Sequence, residues 1–134
     1  MDKEKILKEI DQMHQFANKA LGLKRFDAYI NIFSDNLSYK QLNGKIIDKK
    51  ELAKDTAFYF SRLENSQSQY ERKDFSIEEN RFTENLIQKA TSSIKVFFFF
   101  TKKWTVERVG IYEWIKIEDN WKIEKVEILS EKIY

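Results

Sequence analysis

Four consecutive phenylalanines, Phe97 to Phe100, constrain this chain more than any other feature. Neighbouring side chains of a β-strand point to opposite faces, so an extended run of this kind puts two rings on each side of one sheet. A sheet with one wet face does not accommodate that. It needs a packed core beneath and a second apolar surface above, most simply another copy of the chain. The expectation is a homodimer formed through the sheet.

The 134 residues are 42% hydrophobic and 15% aromatic, enough for one domain over 1–134 with a real core. The 24 basic and 22 acidic residues nearly cancel and are interspersed, with no concentrated basic face, so no nucleic-acid partner is expected. The apolar run Val96 to Phe100 is far too short for a membrane span, and the N-terminus opens into a charged helical pattern rather than a signal-peptide core. A cytoplasmic protein with no membrane partner is the default reading.

Ile6, Ile10, Met13, Ala17 and Leu21 recur at helical spacing, which predicts a first helix from about Lys3 to Leu21 with Gly22 near its end. Phe26, Tyr29, Ile30 and Phe33 mark a second, shorter helix. Asn43-Gly44 predicts a tight hairpin between Tyr39 and Ile47. Asp48, with Glu51 three residues on, caps a third helix carrying Leu52, Tyr59, Phe60 and Leu63. The polar stretch Glu64 to Asp74 reads as a loop, and Thr83 to Ala90 as either a helical turn or a strand. From Ile94 onward the chain is β-forming, with its last turn at Glu118-Asp119-Asn120. The fold class is α+β, with three N-terminal helices packed on a strongly curved antiparallel sheet.

Two segments carry a resemblance. The stretch from Ala20 to Asn36, with Gly22, Phe26, Ile30, Phe33 and Asp35, resembles the opening of nuclear transport factor two-like domains. Trp114 together with Asp119-Asn120-Trp121-Lys122-Ile123 resembles the closing hairpin of that cystatin-like superfamily. The resemblance implies a cone-shaped fold with a hollow between sheet and helices, shared with polyketide-cyclase-like and ketosteroid-isomerase-like proteins. It also implies where a ketosteroid isomerase would keep its machinery. The general base would fall at Gln41 and the donor tyrosine near Phe16 or Ala17, neither of which can serve; only the second acid has a counterpart, Glu113. The scytalone dehydratase pattern of paired histidines meets a single histidine here.

Three scattered glycines exclude a phosphate-cradling loop, and one histidine with no cysteine excludes the usual zinc sets, so no metal or cofactor is expected. Two candidates for proton transfer remain. His14 lies on or beside the buried stripe of the first helix, as a base facing a pocket or as a boundary histidine. Glu113 sits among Val109, Ile111, Ile115 and Ile117, opposite Tyr112 and Trp114, where an apolar row raises a carboxyl pKa unless a cation pairs with it. Gly110 beside it signals a bulge. Tyr39, Gln41, Phe58, Tyr59, Phe97, Phe99, Trp104, Tyr112 and Trp114 are the candidate pocket residues, as ligand contacts or as core. Three functional readings stand: a domain binding a small apolar molecule, an isomerase, dehydratase or cyclase using His14 or Glu113, and a protein-interaction module.

Overall fold

The computed structural model describes residues 2–97 and 100–134, with side chains placed for all of these except residues 95–97 and 100. Helices α1 (Lys3–Gly22) and α2 (Phe26–Ile30) lead into β1 (Phe33–Lys40) and β2 (Ile46–Ile47). Helix α3 (Lys49–Arg62) follows, and then four long strands: β3 (Leu63–Glu78), β4 (Arg81–Phe97), β5 (Phe100–Ile117) and β6 (Asn120–Ile133). They form one sheet in the order β2-β1-β6-β5-β4-β3. Every neighbouring pair is antiparallel except β1 and β6, which run parallel, so the sheet is mixed rather than wholly antiparallel.

Local chemistry accounts for the helix ends. The Asp2 carboxylate accepts from the backbone N–H groups of Glu4 and Lys5, and the Asp48 carboxylate from that of Glu51 at 2.9 Å, satisfying donors that the first helical turn leaves open. Ile6, Ile10, His14 and Ala20 form the buried stripe of α1. Ile6 and Ile10 share a core with Phe82 and Leu86 of β4, Tyr112 and Trp114 of β5, and Trp121, Ile123, Val126 and Ile128 of β6.

Several sequence expectations give way. Phe33 and Leu63 lie not in the second and third helices but at the starts of β1 and β3, since α2 ends at Ile30 and α3 at Arg62. Glu64 to Asp74 is not a loop but most of β3, hydrogen-bonded to β4 along its length. As the edge strand of the sheet it leaves many polar side chains in water, which hid its strand pattern. Thr83 to Ala90 resolves to strand. The phenylalanine run does not lie along a single strand: β4 ends at Phe97, β5 begins at Phe100, and these two are cross-strand partners. Phe98 and Phe99, and the surroundings of the Phe97 and Phe100 rings, lie outside the described residues. Gly110 faces a bulge on the neighbouring strand rather than forming one in its own. Gly110 pairs with Ile128 while Val109 pairs with Ser130, so the extra residue, Leu129, sits on β6 and the alternation of β5 continues unbroken. No described helix is long and apolar enough to cross a membrane.

Candidate functional site

The site is assembled from one helix and three strands. Asp11 and His14 lie three residues apart on the inner side of α1. Tyr70 and Arg72 alternate on one face of β3, Glu84 falls between the buried Phe82 and Leu86 on β4, and Trp114 follows Tyr112 by two residues on β5. Glu84 pairs across the ladder with Tyr112, so Trp114 is its diagonal neighbour, within reach of a long side chain.

Glu84 is 1% exposed. An isolated carboxylate could not be kept there as an ion, and three donors hold it. Its Oε2 accepts from Trp114 Nε1 at 2.7 Å and from His14 Nε2 at 2.7 Å, and its Oε1 accepts from Arg72 Nε at 2.9 Å. Arg72 turns its Nη2 to Asp11 Oδ1 at 2.8 Å, and the Tyr70 hydroxyl donates to the same oxygen at 2.7 Å. The His14 ring lies 4.2 Å from that of Tyr70 and meets Trp114 edge-on at 5.4 Å. Burial alone would raise the Asp11 pKa, but the bonds from Tyr70 and Arg72 outweigh it and hold the carboxyl below its ordinary range. Tyr70 moves the other way: burial, and then its bond to Asp11, push its hydroxyl well above the usual phenol range.

This arrangement sets the tautomer of His14. An ionised carboxylate only accepts, so in the neutral ring the nitrogen facing Glu84 carries the proton and Nδ1 has the lone pair. Nδ1 has no hydrogen-bond partner among the described residues.

His14 and Trp114 also line a cavity of about 140 Å³ between α1, α2 and the sheet. Ile32, Phe33, Val106 and Ile123 supply apolar wall, and Tyr29, Tyr39, Tyr112, Gln88 and Arg108 supply polar groups. The Tyr112 hydroxyl donates to Gln88 Oε1. Burial pushes Tyr29 up to about 12, with Tyr39 adding to it, and burial raises Tyr39 and, further still, Tyr112, so all three remain neutral donors near pH 7. Tyr39 and Arg108 also border an open cleft shared with Gln41, Leu42, Asn43 and Glu131.

Of the residues singled out by sequence, the structure therefore brings His14, Tyr39, Tyr112 and Trp114 into one cavity and sets Gln41 in the cleft outside it. Glu113 is elsewhere. It faces away from Tyr112 and Trp114 on the outer side of β5, where Arg81 Nη1 donates to it at 2.7 Å and binds Glu124 at 3.3 Å. The strand's period of two separates it from His14, and the arginine pairs with its charge. Phe58 is 65% exposed on α3, beside Arg62. Tyr59 bonds to Ser92 at 2.7 Å and is not part of the cavity lining. Trp104 pairs with that same Ser92 across the ladder and lies outside the cavity lining. Phe97 and Phe99, as pocket residues, lie outside the described side chains. Sequence reasoning missed Glu84, Asp11, Tyr70 and Arg72. The signal for Glu84 was available: Phe82-x-Glu84-x-Leu86 is an acid inside a period-two apolar row, visible once a strand is assumed there.

Three helices on one face of a six-stranded mixed sheet, with a cavity between the layers, define the nuclear transport factor two-like fold, the α+β cone that this chain adopts. Solved structures place it there over nearly its whole length. A protein from Kribbella flavida superposes with a TM-score of 0.80 at 16% identity, covering 98% of this chain and 95% of its own. A Novosphingobium aromaticivorans protein provisionally named a scytalone dehydratase gives 0.82 at 8% identity, covering 96% and 85%. A Streptomyces avermitilis protein, provisionally named a dehydratase of the NTF2-like family, gives 0.75 at 10% identity, covering 95% and 97%. No protein-family model matches the sequence, and no curated protein does either.

Proposed function

We propose that the chain binds a small, mostly apolar molecule in the cavity between α1 and the sheet, and that His14 accepts a proton from it. The observation that carries this reading is the Glu84–His14 hydrogen bond at the cavity wall. A fully buried carboxylate, itself held by Trp114 and Arg72, fixes which imidazole nitrogen is the base. In this reading Nδ1 takes a proton from an acidic carbon of the ligand, and the electron pair left behind forms or shifts a double bond. If a leaving group sits on the adjacent carbon, it departs with its own pair and the reaction is an elimination; otherwise the proton returns at another carbon and the reaction is an isomerisation. Glu84 carries no proton in either case; it holds the ring and balances the imidazolium charge. The dehydratase names of two structural neighbours are in keeping with that class.

The decisive experiment is deuterium exchange in D₂O over a panel of single-ring ketones and β-hydroxy carbonyl compounds, followed by NMR for the intact protein and for His14→Gln. Exchange or turnover that vanishes in the variant is the expected result. No ligand-dependent exchange in any case, or equal exchange with His14→Gln, would end the reading. Because His14 is the sole histidine, its ¹⁵N correlations report the tautomer without assignment; the expected form has the proton on Nε2.

The assembly proposed is a homodimer through the outer face of the sheet. Ile87 pairs with Val109 there, and Ile111 and Ile115 continue the half-buried apolar strip. Sedimentation at micromolar concentration should give twice the chain mass, and a monomer would refute it.

A further inference from the structure

The cavity's polar groups are unevenly supplied. No Asp or Glu side chain is among the described residues that line it, whereas Tyr29, Tyr39 and Arg108 all present donors. The two carboxylates nearest to His14, Asp11 and Glu84, are already engaged by Arg72. The hydroxyls of Tyr29 and Tyr39 have no hydrogen-bond partner among the described residues, and neither is a fully enclosed orphan. Val106, Arg108, Tyr112 and Trp114 share one face of β5, so Arg108 projects to the side of the sheet that carries the cavity. Its Nε and Nη2 both reach Glu131 Oε2, at 2.9 and 2.8 Å. A guanidinium has five N–H groups, and no other protein acceptor is bonded to Arg108 among the described residues. These donors stand in a partly dry space whose other polar lining groups, Asn18, Ser68, Gln69, Gln88 and Lys89, carry no negative charge, which favours a ligand that brings acceptors and negative charge.

We infer that the cavity is selective for a small carboxylate, its two oxygens taken by Arg108, Tyr39 and Tyr29 at the cleft end and its hydrocarbon body extending along the apolar wall toward His14. The inference rests on the cavity being a ligand site, as proposed above, but not on His14 being a base. The volume of about 140 Å³ suits one ring or a short branched chain. Arg108 and Tyr39 border both the inner cavity and the outer cleft, so an anion arriving from solvent meets them first. Glu131 is the counterweight: with 25% of its side chain exposed, it partly screens Arg108 until a ligand competes for the guanidinium.

The test is calorimetric titration of the full chain at pH 7 with benzoate, cyclohexanecarboxylate and 2-methylpropanoate, each against its own primary amide. At least one carboxylate should bind about tenfold or more tightly than its amide, the worth of one hydrogen bond between charged groups. That preference should fall to threefold or less in Arg108→Gln. If Arg108→Gln does not fold, Glu131→Gln and Tyr39→Phe read the same question. The first should strengthen carboxylate binding several-fold by unscreening Arg108, and the second should weaken it. The proposal is overturned if no carboxylate outbinds its amide, if none binds at millimolar concentration, or if the preference survives loss of Arg108. It is overturned equally if Glu131→Gln and Tyr39→Phe leave binding unchanged. Carboxylate selectivity that persists in His14→Gln while deuterium exchange is absent from the intact protein would remove the proton-acceptor role and leave the anion site standing.

Discussion

Replacing Glu84 by glutamine changes the volume of the site hardly at all and its bonding severely. The carboxylate accepts from His14 and Trp114 on one oxygen and from Arg72 on the other. A glutamine has one oxygen to offer. With that oxygen toward His14 and Trp114, its amide N–H₂ faces the Arg72 guanidinium, donor against donor; flipped, it loses the other two bonds instead. The lesser loss is one charge-assisted bond, roughly 1.5–3 kcal/mol. Removing one member of a buried ion pair altogether costs about 3–5 kcal/mol. Arg72 keeps Asp11 as a partner, which softens the loss. The expected destabilisation is thus about 2–4 kcal/mol, or about 10 °C in melting temperature for a domain of this size. Urea unfolding at pH 7 is the assay, with the slope of the transition unchanged from the parent. Arg72→Met should cost markedly less in the Glu84→Gln background than alone, since the bond they share is already gone. A loss below about 1 kcal/mol, or additive effects in the double variant, would mean that the buried cluster does not form as described.

Two further outcomes follow from the same geometry. Tyr29 ionises at about 12 when folded and at its ordinary 10.0 when unfolded, so its contribution to stability is complete below pH 10 and is lost as pH rises toward 12. A phenolate absorbance titration of the parent against Tyr29→Phe measures this, and the idea fails if the difference titrates near 10. Gly110→Ala places a methyl 3.1 Å from the Glu127 carbonyl oxygen and 3.2 Å from the Tyr112 ring. The carbonyl belongs to a paired strand and cannot swing aside, so a loss of about 1–3 kcal/mol in urea unfolding is expected; a neutral substitution would show that β6 shifts freely at its bulge.

Much of the fold was legible because its signals are local. The α1 stripe, the Asp48 cap, the Asn43-Gly44 hairpin and the Glu118–Asn120 turn each depend on residues a few positions apart, where helical period, capping geometry and turn conformation act directly. The edge strand β3 was not legible, because burial on one face only, with water along its free edge, leaves a polar composition indistinguishable from a loop. His14 could be placed on the inner side of α1 but not given a partner.

From the order of residues alone came an α+β domain, the extent of its first helix, a β-rich C-terminal half and a histidine on or beside that helix's buried stripe. The partners of that histidine came from elsewhere. Glu84 lies 70 residues along the chain from it, Arg72 and Trp114 arrive on two other strands, and only the register of β3, β4 and β5 aligns them. The same register sends Glu113 to the opposite face, one residue from Trp114 yet outside the cavity. Short-range preferences are written into each segment, whereas a buried charge cluster exists only once several strands have paired, because no single segment can offset the cost of its desolvation.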